Sequence, residues 1–374
     1  MDRAPPPPWA ELTANTLSEI ASHLHEAADF VRFRAVCKPW SEAPRASPSF
    51  LPYLVTAGAS RFDEPGAQLR SPFSTKTRYL PRFQQTLAAL GGKIIEGSGD
   101  IAGGRILAVG GCDRTAVLID PLTGDATSLP PLPRNFFPVN GSWMGTSGVV
   151  TNNGNVLFHT GVCHTFAGVK TVLLRPGEEA GWEEVNTTGF VDGLRVLDNP
   201  TLRAAALCAS ADVLPGDTAR AMADLPQVAT GIFRWPHVVE FQGELLFIEV
   251  GIRHEKAPTL MSCAVNALEV GDDGRPRWVE REHGRGVEHL CFFLNWGDNS
   301  GFAIDAREFS GAKVAGGCAY FIDNHPTASR DVVCQYNFKD GATTVVDELP
   351  APFDRTSVWF TPRPRISVAR SCTA

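Results

Sequence analysis

The chain has 374 residues, 43% apolar and 20% charged, with a net charge of −7; it is longer than one small domain needs, and no basic stripe is available to neutralise phosphates, which excludes nucleic acid as a partner class. No run of about 18 apolar residues exists to span a membrane, and the charged, proline-rich start lacks the apolar core of a signal peptide. The 9 cysteines are scattered singly without a Cys-x-x-Cys pair, which suits a reducing compartment, so the expected location is the cytoplasm, the nucleus or both.

Pro5 to Pro8 cannot continue a helix or a strand ladder, and residues 1–8 read as a solvated leader ending at Trp9. From Leu12 the pattern turns helical: Leu17, Ile20, Ala21 and Leu24 recur at spacings of three and four and share one face. Thr13 is the expected N-cap, its hydroxyl accepting from the amide of Thr16. A second helix is expected near Asp29, with Phe30, Phe33, Val36, Cys37 and Trp40 extending the apolar stripe; Pro39 breaks it and opens a short third helix. Helices this short bury too little to stand alone, so residues 9–50 need either the downstream domain or another protein.

Leu12, Leu17, Ile20, Leu24, Asp29, Arg32, Val36-Cys37-Lys38 and Trp40 together resemble the F-box pattern, including its Val-Cys-Lys-x-Trp ending. The chain departs from that pattern at Leu12-Thr13, where the family usually has Leu-Pro, and at Thr16-Leu17, where it has a double Leu. The resemblance implies docking to a Skp-type adaptor and, through it, a cullin, with Leu12, Leu17, Ile20, Leu24, Val36, Cys37 and Trp40 as the adaptor contacts.

Beyond Pro48 the helical signal stops, and short apolar runs alternate with Gly, Asp, Asn and Pro clusters over residues 51–365, leaving 366–374 as a tail. Arg105–Val109, Asn155–Phe158, His237–Phe241, Glu244–Ile248 and Cys318–Ile322 are each of strand length. One phrase recurs: strand, polar Gly turn, strand, prolines. Ala116–Pro133 resembles Cys334–Pro352, with looser copies at Val172–Val185 and Val265–Arg281. Hairpin repeats cannot bury their faces singly, so they must stack or close in a ring; blades of roughly 40 to 50 residues give some six or seven of them.

Val238–Val250, Cys291–Ala306, Gly317–Ile322 and Trp359-Phe360-Thr361-Pro362 resemble the plant KIB-type β-propeller domain, a kelch-like unit that commonly follows an F-box. The expected fold class is therefore α+β multidomain: a small all-α helical hairpin followed by an all-β propeller-like domain. The implied function is that of a substrate receptor in an SCF-type E3 ubiquitin ligase, holding a protein target, with no catalytic residue, cofactor or metal of its own. Two alternatives differ in class: an adaptor-binding protein acting outside a ligase, and a propeller module or enzyme for a small ligand.

Other motifs have simpler readings. Gly97, Gly99, Gly103 and Gly104 are followed by a strand rather than a helix and read as turns, and Leu90–Ile94 lacks the outer residues of a P-loop. His25–Asp29 is one His short of a zincin helix; His159, Cys163 and His164, or His283, His289 and Cys291, lack the spacing of a zinc set. The aromatics of Phe136–Trp143 and Asn295–Gly297 suit either an anchor for a partner or a blade edge.

Overall fold

The computed structural model describes residues 9, 12–43, 49–56, 66–89, 94–101, 105–109, 115–133, 146–150, 156–160, 170–175, 181–185, 233–242, 244–253, 260–273, 276–295, 301–309, 313–323, 330–353 and 357–362. Helices α1 (Ala14–Ser22), α2 (Ala27–Arg34) and α3 (Lys38–Glu42) come first, followed by five sheets with one further helix between the first two. No helix among the described residues is long and apolar enough to cross a membrane.

The first sheet contains β1 (Tyr53–Thr56), β2 (Gln68–Ser71) and β3 (Lys76–Tyr79), and helix α4 (Pro81–Ala89) follows it. The second is β4 (Ile94–Ile101), β5 (Arg105–Val109), β6 (Ala116–Ile119) and β7 (Ala126–Ser128). The third is β8 (Thr146–Val150), β9 (Val156–Thr160), β10 (Lys170–Leu174) and β11 (Glu183–Val185). The fourth is β12 (Phe233–Phe241), β13 (Glu244–Arg253), β14 (Leu260–Val270) and β15 (Pro276–Glu280). The fifth contains β16 (Leu290–Leu294), β17 (Gly301–Asp305), β18 (Cys318–Asp323), β19 (Val332–Asn337) and β20 (Thr343–Glu348), in the order β17-β16-β18-β19-β20, with β16 and β18 parallel. Finally β21 (Val358–Phe360) returns to the first sheet and pairs antiparallel with β1, Leu54 opposite Trp359, so both ends of the strand region meet in one sheet.

Neighbouring sheets pack face to face. One apolar cluster joins the first and second sheets through Val55, Leu69, Ile106 and Ile119; another joins the second and third through Leu107 and Val172. The fourth and fifth meet through Ile248, Val265 and Phe292, and the fifth returns to the first through Phe293, Tyr320, Leu54 and Trp359. Phe293 stacks on Tyr320 at 5.0 Å and meets Trp359 edge-on at 4.9 Å, arrangements that add to simple area burial. Terminal strands of the sheets converge on one another: β21 lies beside β4, β4 beside β8 and β17, and β12 beside β17. This is the arrangement of propeller blades. Five sheets lie among the described residues, and the segment 186–232, between the third and fourth, is outside them.

All four copies of the recurring phrase are the outer hairpins of their sheets: β6–β7, β10–β11, β14–β15 and β19–β20. Two of the turns have one geometry. In each, the first residue's side-chain oxygen accepts from the amide two residues on (Asp120 from Leu122, 2.8 Å; Asn337 from Lys339, 2.9 Å). Four residues on, a glycine takes a left-handed φ, +77° at Gly124 and +68° at Gly341.

The β2–β3 turn of the first sheet has the same length, Ser71 pairing with Lys76, but Thr75 stands at the glycine position with φ +55°. A β-branched residue is strained there. Thr75→Gly is expected to stabilise the protein by about 0.5–1 kcal/mol, relief of left-handed strain outweighing the added freedom of the unfolded chain. Denaturant titration of the two proteins checks the sign.

Two expectations are corrected. Gly97 and Gly99 lie within strand β4 rather than in a turn, at a register irregularity between Glu96 and Ile101 that accommodates residues with little to pack; Gly103 and Gly104 lie outside the described residues. The chain beyond Pro48 is not β alone, because α4 begins at Pro81 and buries Phe83 and Leu87, one helical turn apart, against the first two sheets. Its Thr86 hydroxyl donates to the Gly124 carbonyl at 2.8 Å.

Candidate partner-docking surface

Helix α1 begins as its sequence dictates. The Thr13 hydroxyl accepts from the Thr16 amide at 3.2 Å, capping the first turn. Helix α2 starts at Ala27, two residues before Asp29, whose carboxylate sits in the first turn and accepts from Arg32 at 2.8 Å. Contrary to expectation, Pro39 does not end the second helix: α2 stops at Arg34, Val36 and Cys37 lie between the helices, and Pro39 occupies the first turn of α3, where a missing amide hydrogen costs nothing.

The seven residues of the apolar stripe divide. Leu17 is 1% exposed and turns inward with Ala21, Ala27, Phe30 and Phe33 to join the cluster formed by the first two sheets. Leu12, Leu24 and Trp40 are half-buried against the same cluster. Trp40 packs on Phe33 with ring centres 4.6 Å apart, and its indole N–H donates to the Trp9 carbonyl at 3.0 Å. Cys37 is half-buried. Ile20, 37% exposed, and Val36, 59% exposed, face outward. The reason is spacing: Ala21 lies four residues after Leu17 and shares its inward side, whereas Ile20 falls at the edge of that stripe.

Two more large apolar side chains join the outward set. Val31 is 46% and Trp9 58% exposed. The visible signal for Val31 is its position directly after Phe30, off the side that Phe30 and Phe33 share. Among the described residues only Tyr79 and Val345 are comparably exposed large hydrophobics elsewhere, so four of the six lie on this small helical unit. An isolated exposed apolar residue is ordinary, but a concentration of them marks a surface that something covers.

Polar contacts fix the unit against the strands. Glu26 accepts from the Tyr53 hydroxyl and, at 2.8 Å, from the Ser71 hydroxyl, while Ser49 donates to Glu308. The Leu51 amide donates to the His25 carbonyl at 2.9 Å, and the His25 ring lies 5.4 Å from that of Phe309. Burial raises the Tyr53 phenol well above its ordinary range, and the hydrogen bond to Glu26 adds to the rise.

The residues weighed as metal ligands are placed otherwise. The Cys291 thiol donates to the Ala315 carbonyl at 2.9 Å, His289 meets Phe241 edge-on and His283 is exposed, while Cys163 and His164 lie outside the described residues. No group of three or more His, Cys, Asp or Glu among the described residues could hold a metal ion. Phe136–Phe137 and Trp296 also lie outside the described residues.

Burial pushes the Cys334 thiol from its ordinary 9.0 up to about 12, with the Asp323 charge adding to the effect. Cys291, Cys318 and Tyr320 move the same way, burial again leading. The folded state therefore keeps protons that the unfolded chain releases above about pH 9, so this stabilisation is complete below pH 9 and is lost as pH rises toward 12. Urea midpoints measured from pH 7 to about 11 are expected to hold until pH 9 and then fall.

A sequence model of the KIB1-4 β-propeller matches residues 75–337, well over half of the chain. The chain belongs to the KIB1-4 β-propeller family. A search of curated proteins found no match. The matched span runs from the β2–β3 turn of the first blade to the end of β19, so α1–α3, β1, β2, β20 and β21 of this KIB1-4 protein lie outside it. The candidate docking surface on α1–α3 therefore lies N-terminal to the matched span.

Proposed function

We propose that this KIB1-4 propeller protein is the substrate-recognition subunit of an SCF-type (Skp–cullin–F-box) E3 ubiquitin ligase. In this reading α1–α3 are an F-box that docks a Skp-type adaptor and, through it, a cullin, while the propeller holds a protein target. Catalysis belongs to the ubiquitin-loaded partner: the receptor raises the effective concentration of a target lysine beside it and needs no catalytic residue, cofactor or metal of its own. Its place of action is the cytoplasm or nucleus.

The observation that carries the reading is the concentration of exposed apolar side chains, Trp9, Ile20, Val31 and Val36, on a three-helix unit ahead of a KIB1-4 β-propeller, an architecture suited to holding a protein partner. The segment that resembles the F-box ending, Val36-Cys37-Lys38-Pro39-Trp40, carries the exposed Val36 and sets Trp40 beside Trp9, which supports this reading. Propeller loops are the natural place for the target, since binding residues concentrate on loops held by a rigid scaffold.

The test is affinity purification of the full chain with quantitative mass spectrometry under proteasome inhibition. Recovery of a Skp-type adaptor together with a cullin is the expected result. Adaptor without cullin would move the protein outside a ligase, and recovery of neither would sink the proposal.

A further inference from the structure

We infer that α1–α3 are not a separable module but a wedge in the propeller's own core, opening and closing together with the first two blades. The inference stands on the packing and not on the ligase reading. Leu17, Ala27, Phe30 and Phe33 are buried in one continuous cluster with Val55 of β1, Leu69 of β2, Ile106 of β5, Ile119 of β6 and Phe360 of β21. The same cluster is the contact between those two blades, so the helices fill a seam that the strands do not close alone. Phe30 reaches Phe50 at 5.4 Å between ring centres. Around this apolar wedge stand the bonds from Tyr53 and Ser71 to Glu26 and from Ser49 to Glu308, which tie the helical unit to the first and fifth sheets.

The family match ends short of every element that forms the N-terminal side of this seam, namely α1–α3, β1 and β2. Those segments belong to one cooperative unit, because removing the helices would expose Val55, Leu69 and Ile106 together. Resting on the proposed function, a further consequence follows: the direction from adaptor to target is set by the fold rather than by a flexible linker, which restricts the target lysines that can be reached.

Hydrogen exchange on the full-length protein tests the inference, comparing wild type with Leu17→Ala. The expected result is that amides of β5 and β6, remote from the substitution, accelerate by the same factor as those of α1 and α2, about ten-fold or more, because all open in one event. Acceleration confined to residues 12–43, with β5 and β6 at wild-type rates, would overturn it. Should Leu17→Ala lose its strand structure altogether, that outcome supports the wedge, since an independent module cannot unfold a propeller. The milder Glu26→Ala then supplies the graded measurement: shared acceleration in α2, β5 and β6 supports the inference, and acceleration limited to the helices refutes it. Neither result depends on whether an adaptor binds, so failure of the ligase reading and failure of the wedge are told apart.

Discussion

Arg70→Ala is expected to lower the unfolding free energy by about 3–5 kcal/mol, the largest single-site loss of stability foreseen in this protein. Arg70 lies on β2 in the first sheet and Asp347 on β20 in the fifth, 277 positions apart. The guanidinium meets the carboxylate in two parallel bonds, Nε to Oδ2 at 2.5 Å and Nη2 to Oδ1 at 2.6 Å, and its third nitrogen donates to the Thr77 hydroxyl at 2.8 Å. Both side chains are almost wholly buried, at 9% and 5% exposure. Truncating the arginine leaves the Asp347 carboxylate without its counter-charge in a place water does not reach, and that uncompensated charge is the source of the cost.

Arg175 and Glu183 provide the internal control. Their separation is 2.6 Å, but the side chains are 45% and 58% exposed. Arg175→Ala should therefore change stability by less than about 1 kcal/mol, because water replaces most of what the pair supplied. Urea denaturation of the two variants separates burial from geometry. Equal effects would mean that the Arg70 pair does not brace the contact between first and last sheets. Replacing both partners, Arg70→Met with Asp347→Leu, should recover much of the loss, since the apolar pair escapes the desolvation that the ion pair must overcome.

This interaction lies beyond what sequence alone conveys, and the reason is separation. Local chemistry was readable where a cap or a turn carries its own side-chain signature. The Thr13 cap, the place of Pro39 in the first turn of α3 and the Asp120 and Asn337 turns all depend on residues within five positions of one another. The first sheet's hairpin was harder to see because Thr75 occupies the glycine position, which removed the signature that marks its counterparts. Helix α4 has only two buried anchors, Phe83 and Leu87, and sits between strands, so its period is too brief to stand out. The apolar stripe of α1 shows the deeper limit: spacing identifies which residues share a side but not what covers it. Leu17 lies in one buried cluster with strand residues more than thirty positions downstream, Val55 and Ile119 among them, and with Phe360 of β21.

That division decides which substitution reads adaptor binding cleanly. Ile20→Asp is expected to weaken co-purification with a Skp-type adaptor by more than about 100-fold while leaving the fold intact, since burying an unpaired carboxylate in an interface costs several kcal/mol. Ile20 is exposed in the free chain, so the aspartate stays hydrated there and stability should change by less than about 0.5 kcal/mol. Leu24→Asp and Leu17→Asp give the same loss of binding for a different reason. Leu24 packs on the core cluster and Leu17 lies within it, so a charge at either position disturbs the seam with the first two sheets before any partner arrives. The comparison is quantitative: urea midpoints for Ile20→Asp should match wild type, whereas those of the other two should fall. Val36→Asp, at an exposed position between α2 and α3, should repeat the Ile20 result. Undiminished adaptor capture by a stably folded Ile20→Asp, Val36→Asp double variant would remove this surface from the docking interface and leave the helices only their role in the propeller core.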